Sequence, residues 1–144
     1  MGTAIQDCNL SAEDFGGPQY EGCNEYLVIT KPEVIREIHD SHLKVGCDII
    51  ETNTFGSTPL VLDEYGLGNK AHELNLIACQ IARKAADKYS TAEQPRFVAG
   101  SIGPTTKAIS VTGGISFEGL IQNFYVQAQK LSLSRPFYFL CKHL

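Results

Sequence analysis

Residues 47–58 read CDIIETNTFGST, a short apolar run that passes directly into a loop of hydroxyl and amide side chains. The apolar part, 47–52, is typical of a strand that is buried on both faces. The segment before it opens on a capping-box pattern at 30–33, Thr-Lys-Pro-Glu, and its apolar residues recur at helical spacing until Gly46. A helix that leads into a buried strand indicates an α/β protein.

The alternation of helix and strand continues along the chain. A short helical turn is predicted over 57–66 and a long helix over 70–89. A second strand is predicted over 96–102, and a third helix, capped by Ser116, over 116–131. Six apolar residues of the third helix fall on one face: Phe117, Leu120, Ile121, Phe124, Ala128 and Leu131.

Strands that are joined by helices form parallel sheets, and their chemistry collects in the loops at the C-terminal ends of the strands. Here those loops are 52–56 and 103–107, both rich in small hydroxyl and amide groups. Such groups suit a small polar ligand, although neither loop supplies an obvious nucleophile. The sequence therefore predicts a binding site at this edge of the sheet.

Composition excludes several classes of function. The 144-residue chain has room for one domain, and its 43% hydrophobic residues are enough for a core. A formal net charge of −4 and the lack of any Lys or Arg run argue against a nucleic-acid partner. No apolar stretch approaches the roughly 18 residues that a membrane helix needs, and the first residues lack the features of a signal peptide. We expect a cytoplasmic protein.

Potential metal ligands are scattered. The five cysteines include no CxxC pair, so they predict reduced thiols rather than a disulfide framework or a zinc knuckle. Cys141 and His143 form a CxH pair that lacks the remaining ligands of a zinc site. His39 and His42 lie three apart on the first predicted helix, but no further ligand completes a site there.

Two other patterns are better explained by structure than by chemistry. Residues 66–71, GLGNKA, match the loose GxGxxA dinucleotide fingerprint, which has meaning only directly after a strand, and a helical turn is predicted here instead. Asp48 and Glu51, three apart on a strand, face opposite sides, so we do not expect an acid–base pair. Glu51 is expected either at the site or in a structural hydrogen bond.

Five segments together resemble one known family. They are MGTAIQ (1–6), GCNEYLVITKPEVI (22–35), CDIIETNTFGST (47–58), ELNLIACQIARKAAD (73–87) and RFVAGSIGPTTKAISVTGG (96–114). In this order and spacing they resemble the N-terminal homocysteine-binding domain, a homocysteine S-methyltransferase domain, of the cobalamin-dependent methionine synthases. The resemblance covers residues 1–131.

The resemblance implies a (β/α)8 TIM barrel, of which this chain would supply the early βα units. It also implies that zinc holds homocysteine as a thiolate, which takes a methyl group from methylcobalamin on a separate module to give methionine. No side chain is then the nucleophile, because the substrate's own sulfur attacks. The residues that match the family's substrate-binding loops are Gly2, Thr3, Thr52, Asn53, Thr54, Ser101, Gly103, Pro104 and Thr105.

Three departures from the family pattern bear on activity. The strand ending in Asp-Gly that precedes the family's counterpart of 1–3 is missing, and no Cys-Cys pair supplies the zinc ligands. Residues 132–144 resemble nothing in the family, which continues into a strand that ends in an acidic residue. We therefore expect a fragment truncated at both ends, with 1–131 as a partial homocysteine-binding domain and 132–144 as a divergent tail. Alone, it is not expected to bind zinc or cobalamin, or to catalyse methyl transfer.

Two other functions stay open. The chain is suited to a non-catalytic interaction module whose tail covers an exposed sheet edge, and open edges also favour self-association. A small nucleotide-binding α/β domain is the other alternative, which depends on the GxGxxA match at 66–71 alone.

Overall fold

The computed structural model describes residues 1–107, 109, 114–131 and 137–141. In this part of the chain, three strands form one parallel sheet in the order β1-β2-β3, with the bounds Ile49–Glu51, Phe97–Ile102 and Phe137–Cys141. Ile50 pairs with Val98 across the first ladder, and Gly100 pairs with Phe139 across the second. The predicted α/β class with a parallel sheet is confirmed.

The helices alternate with the strands. In chain order, the α-helices of the described residues are α1 (Gly2–Gln6), α2 (Leu27–Thr30), α3 (Pro32–Lys44), α4 (Pro59–Leu62), α5 (Ala71–Tyr89) and α6 (Phe117–Leu131). Short 3₁₀ turns lie at Pro18–Tyr20, Asn24–Tyr26, Asp63–Tyr65 and Gly68–Lys70. None of the helices in these ranges is both long and apolar enough to cross a membrane.

The start of α3 differs from the prediction. Lys31, with an extended φ of −141°, is the N-cap residue, and no side chain caps the helix. Thr30 instead closes α2, and its hydroxyl is buried with no hydrogen-bond partner among the described residues. The capping box at 30–33 is therefore wrong, because the preceding residues already form a helix and hold Thr30 in a helical conformation. The predicted end is right, since Gly46 has a φ of 98°, a left-handed value that favours glycine.

The segment between β1 and α5 follows the sequence prediction. The Thr58 hydroxyl accepts a hydrogen bond from the N–H of Val61 at 3.3 Å and so caps α4. Gly66 ends the following turn with a φ of 68°. Residues 66–71 thus follow a helix and not a strand, which removes the structural context that a dinucleotide fingerprint needs.

Small side chains let α5 lie close to the sheet. Ala82 and Ala86 are fully buried and belong to one cluster with Ile50 and Val98. Further along the same helix, Leu74 packs in a second cluster with residues of α2 and α3. Each large apolar side chain buried in this way contributes about 1.5–3 kcal/mol. The first cluster therefore holds α5 against both strands, and the second holds it against α2 and α3.

A buried arginine joins the starts of β1 and β2. Arg96 is 7% exposed, and its Nη1 donates to the carbonyl oxygens of Gly46 and Cys47 and to Oδ1 of Asp48, each at 2.9 Å. Asp48 therefore lies at the opposite end of its strand from the predicted site.

The apolar residues of α6 lie on one face, as predicted, but most of that face points to solvent. Phe117 is 67% exposed and Ile121 is 49% exposed. Leu131 is buried, and the side that packs inward carries Asn123 and Gln127. The helix therefore buries two amides close to the loop after β1, with consequences for the site.

The third strand was not predicted. Residues 137–141 lie in the segment expected to be a divergent tail, yet they pair with β2 from Val98 to Ile102. Aromatic and apolar residues dominate the strand, FYFLC, and such residues favour β-structure. Within the described residues, β1 and β3 each pair with β2 alone, so the outer side of each is a sheet edge.

Candidate functional site

The site is built where β1 and β2 end. Because the strands are parallel, the loops that follow them, 52–56 and 103–107 (the two site loops), leave the sheet at the same edge. Backbone hydrogen bonds join them: the N–H of Thr52 donates to the Ala99 carbonyl at 2.9 Å, and the N–H of Gly103 donates to the Phe55 carbonyl at 2.9 Å. The predicted adjacency of the two loops is confirmed.

Two threonine hydroxyls link the loops further. Thr54 Oγ1 donates to the Ser101 carbonyl at 2.8 Å, so its single proton is used there. Its contact with Thr52 Oγ1, at 2.6 Å, must therefore be a hydrogen bond donated by Thr52. Thr52 Oγ1 in turn accepts from the N–H of Ser101 at 3.1 Å. Both hydroxyl protons are thus committed inside the protein, and the two buried threonines hold the loops together.

Ser101 and Glu51 place a hydroxyl beside a carboxylate at the strand ends. Ser101 Oγ donates to Glu51 Oε2 at 3.4 Å. Ser101 is buried and Glu51 is half-buried. The sequence left Glu51 open between a site role and a structural hydrogen bond, and the geometry is compatible with both.

The segment around Asn24 supports the first site loop. Asn53 Nδ2 donates to the Asn24 carbonyl at 2.7 Å. The N–H of Gly56 donates to Glu25 Oε1 at 2.7 Å. Neither Asn24 nor Glu25 was singled out from the sequence, although both lie in a segment that carries the family resemblance.

The second site loop begins with a glycine that the packing requires. A Cβ atom at Gly103 would lie 2.7 Å from the backbone oxygen of Phe55 and 2.8 Å from its ring. Because one of these atoms is backbone, the overlap cannot be relieved by a side-chain rotation. Pro104 and Thr105 follow, both half-buried, and Thr105 Oγ1 donates to the Lys107 carbonyl at 2.7 Å. This loop is therefore turned on itself after its close approach to Phe55.

The first residues of the chain lie beside β1. Gly2 and Thr3 are both exposed in the short helix α1. Met1 lines a cavity together with Ile38, His39, His42, Ile49, Ile50 and Glu51. The chain start thus shares Glu51 with the site. No atom lies within 4 Å of the position that a Cβ at Gly2 would take, so the described structure does not require glycine there.

Comparison with known proteins decides the family. The family model described as homocysteine S-methyltransferase matches residues 1–142. The chain belongs to the homocysteine S-methyltransferase family. The match continues beyond Leu131, into the segment that we expected to diverge.

Solved structures agree on the fold. The chain is similar to the homocysteine methyltransferase MmuM from Escherichia coli in its metallated form, with a TM-score of 0.76 and 20% identity. The similarity covers 99% of this chain and 51% of that one. The oxidised form of MmuM gives a TM-score of 0.71 and 21% identity, over 94% of this chain and 48% of that one. This chain therefore spans about half the length of the structures it matches.

One residue of the candidate site was missed from the sequence. Gln127 of α6 is fully buried, and its Nε2 donates to the Thr54 carbonyl at 2.5 Å. The same nitrogen lies 3.5 Å from the Ser101 carbonyl. A signal existed in the sequence, since Asn123 and Gln127 are polar residues four apart on a helix that is otherwise rich in apolar side chains.

The described residues do not assemble the zinc site that the resemblance implies. They contain no group of three or more His, Cys, Asp or Glu side chains placed to hold a metal. Cys23 is buried, and desolvation raises the pKa of its thiol to about 11, which disfavours the thiolate that zinc requires. Cys141 and His143 lie outside the residues whose side chains are described.

The two histidines of α3 lie in different environments. Burial lowers the pKa of His39 to about 4, and its Nε2 has no hydrogen-bond partner among the described residues. His42 Nδ1 lies 2.8 Å from the Ile38 carbonyl, which can only accept, so this nitrogen carries the proton. A neutral core histidine and a helix-bound one do not make a metal pair.

Proposed function

We propose that the chain is the homocysteine-binding part of a homocysteine S-methyltransferase of the methionine synthase type. In that reaction a methyl group passes to the homocysteine thiol and gives methionine. The observation that carries the proposal is the cross-linked pair of site loops at the ends of two adjacent parallel strands, where α/β proteins bind their ligands. We take the three strands to be a section of a (β/α)8 barrel, made of early βα units.

The site loops suit the amino-acid end of homocysteine. An ammonium group needs an anion or several oxygen acceptors, and the half-buried Glu51 carboxylate lies at the end of β1 next to the Ser101 hydroxyl. The substrate carboxylate needs N–H donors or a cation, and Lys107 is an exposed cation in the second site loop. The side-chain oxygen of Asn53 adds an acceptor.

The predicted pocket residues divide between three roles in this proposal. Ser101 and Asn53 contact the substrate, while Thr52, Thr54 and Gly103 hold the loops in shape. The remaining members, Gly2, Thr3, Pro104 and Thr105, line the entrance. No described side chain is required as a nucleophile, because the substrate's sulfur plays that part.

Methyl transfer itself needs more than these residues. A free thiol has a pKa of about 8.5, so it must be held as a thiolate to react quickly at neutral pH. In the cobalamin-dependent methionine synthases that the chain resembles, zinc supplies that effect and cobalamin supplies the methyl group, but the described donor groups do not fit zinc. We therefore propose that this chain binds and orients homocysteine and that it is inactive as a methyltransferase by itself.

A calorimetric titration with L-homocysteine tests the binding role. We expect saturable binding that weakens by about tenfold in Glu51→Gln, since a charge-assisted hydrogen bond is lost. Glu73→Gln is the matched control, because Glu73 is exposed on α5 and paired with Lys70 at 3.4 Å, away from the site loops. An affinity equal for wild type and Glu51→Gln, or no binding at millimolar ligand, contradicts the proposal.

A second candidate function is a non-catalytic interaction module that associates with itself. The observation in its favour is the exposed apolar face of α6, lined by Phe117, Leu120, Ile121, Phe124, Tyr125 and Ala128. Phe117 and Tyr125 are 67% and 57% exposed. Exposed apolar patches of this kind commonly mark interaction sites. The edges of β1 and β3 offer a further route to association.

A further inference from the structure

We propose that Gln127 is a positioning residue of the site: its amide sets the relative position of the two site loops and thereby the affinity for homocysteine. The claim about affinity rests on the proposed homocysteine-binding role. The claim about loop position does not, because it is tested on the protein without ligand.

The amide of Gln127 lies between the ends of the two strands. Gln127 Nε2 donates to the Thr54 carbonyl, in the loop after β1, and lies at 3.5 Å from the Ser101 carbonyl, near the end of β2. One nitrogen therefore reaches both strand ends, from a third element that is 26 residues from Ser101 and 73 from Thr54 in sequence. It lies beside the Thr54–Ser101 hydrogen bond, which it reinforces.

The position of the Gln127 nitrogen requires a hydrogen-bond donor. Both groups in front of the amide nitrogen are carbonyl oxygens, which can only accept hydrogen bonds. A donor is needed here, and a carboxylate or an apolar side chain of the same size cannot supply one. The Oε1 atom of the same amide is buried without a hydrogen-bond partner in the described part of the chain. Within the described residues, the side chain is thus oriented only by the contacts of its nitrogen with the two carbonyl oxygens.

Two side-chain amides attach α6 to the segments that follow β1. One turn before Gln127, Asn123 Oδ1 accepts from the N–H of Leu60 at 2.9 Å, at the start of α4. Both amides bind segments that follow β1, while the apolar face of α6 is turned outward. The inward side of this helix is therefore built to bind backbone groups, and Gln127 is the member that reaches the site.

Gln127→Glu should make the order of the loops depend on pH, which is not expected if the side chain only fills space. The introduced carboxyl is nearly the same size, but it can donate to a carbonyl only when protonated. Burial and the two facing carbonyls raise its pKa above the usual value of about 4.3. Its contribution to loop order is therefore present at low pH and is lost as pH rises through the raised pKa.

Amide hydrogen exchange of Ser101 and Gly103 is the first measurement. In Gln127→Glu we expect exchange at both amides, relative to wild type, to become about tenfold faster at pH 8 than at pH 5. Core amides such as Leu74 and Ala82 should stay protected. Exchange that is unchanged at Ser101 and Gly103, or that rises equally at the core amides, overturns the positioning role.

Affinity is the second measurement. Homocysteine should bind Gln127→Glu more weakly at pH 8 than at pH 5, by about tenfold after normalisation to wild type. Absence of binding by wild type would refute the proposed function and leave the exchange result to decide the positioning role. Normal binding by Gln127→Glu with fast exchange would show that loop position does not control affinity, which overturns the second half of the proposal.

Two further variants control for folding. Gln127→Met keeps the volume without a donor, so the site amides should exchange quickly at every pH. Asn123→Asp is the opposite case, because its oxygen already accepts from an N–H at a helix start, where a carboxylate is favoured. This variant should leave the Ser101 and Gly103 amides protected. Equal effects of Asn123→Asp and Gln127→Glu would contradict a specific role for the donor at Gln127.

Discussion

The hydroxyl of Thr54 donates to the carbonyl of Ser101 across 2.8 Å, although the two residues lie 47 positions apart in the chain. This bond connects the loop after β1 to the end of β2, and both groups are buried. The hydroxyl of Thr52 completes the connection by donating to Thr54 and accepting from the N–H of Ser101. The candidate site therefore depends on hydrogen bonds between strands rather than on any single loop.

Thr54→Val tests this connection with almost no change of volume. The variant leaves the Thr52 hydroxyl without its acceptor, and we expect the free energy of unfolding to fall by about 1–3 kcal/mol. Thr54→Ser keeps the hydroxyl and should recover most of the loss in urea titrations. Thr106→Val, at an exposed position in the second site loop, is the surface control. Equal stability of Thr54→Val and wild type would mean that the hydroxyl hydrogen bonds do not stabilise the connection between the loops.

Gly103→Ala tests the close approach of the two loops. The new methyl group meets the backbone oxygen of Phe55 at 2.7 Å, so we expect a loss of about 1–3 kcal/mol and weaker homocysteine binding. Gly2→Ala is the matched control for stability, because nothing lies within 4 Å of its new methyl group. Thermal unfolding of both variants decides the matter: similar melting temperatures would mean that the loops do not meet as described.

Arg96→Met tests the hydrogen bonds that connect β1 and β2 at their N-terminal ends. It removes the donor to two carbonyls and to Asp48, and we expect a loss of about 2–4 kcal/mol in denaturant titrations. Lys88→Met removes an exposed partner of Asp40 and should change little. The affinity of folded Arg96→Met for homocysteine should stay near that of wild type. A stable Arg96→Met protein would contradict the structural role of this arginine.

His39 predicts a pH dependence of stability. Its pKa is lowered by burial to about 4 from an ordinary value of 6.5. Between these values the unfolded chain binds a proton that the folded protein excludes, so stability is full above pH 6.5 and falls as pH drops toward 4. The loss is of the order of 3 kcal/mol.

His39→Asn is the variant that checks this dependence. It should flatten the curve of unfolding free energy between pH 6.5 and 4, whatever it does to the absolute stability. Asp14, whose pKa is lowered to about 2 chiefly by its hydrogen bond with Lys31, acts below pH 3.8 and does not overlap. An unchanged slope in His39→Asn would mean that another group controls this range.

Ile121→Lys tests the exposed face of α6. Because Ile121 is 49% exposed in the middle of the apolar face, a charge there should prevent close packing with another chain. If the protein self-associates through this face, sedimentation velocity should show a shift toward the monomer with no loss of melting temperature. Gln122→Lys, at an exposed neighbouring position outside the apolar set, is the control. The same assembly state in Ile121→Lys and wild type would exclude this face.

The parallel sheet and the meeting of the two site loops follow from local signals in the sequence. The runs at 47–52 and 96–102, separated by the predicted helix 70–89, predict parallel strands whose ends share one edge. Thr52, Thr54 and Ser101 were within reach of the same reasoning because they stand directly at the strand ends. The hydrogen bonds among these three residues could not be predicted in this way, because they depend on the directions of the side chains.

The orientation of α6 was beyond that reasoning. Its apolar residues define one face, but which face packs inward is decided by contacts with distant segments, such as that of Gln127 with Thr54. The same limit applies to Thr30. The sequence pattern assigns its hydroxyl to a helix cap, but the residue itself belongs to the helix at 27–30. The strand at 137–141 was missed because the family resemblance was lost before it, although its aromatic residues favour β-structure.

Chemical-shift mapping with L-homocysteine on the ¹⁵N-labelled protein shows where the ligand binds. We expect saturable shifts of the Gly56, Ser101 and Gly103 amides, which lie in or beside the two site loops. The amides of α5 that face the sheet should not move. Shifts confined to other parts of the protein, or none at millimolar homocysteine, would contradict a homocysteine site at the ends of β1 and β2.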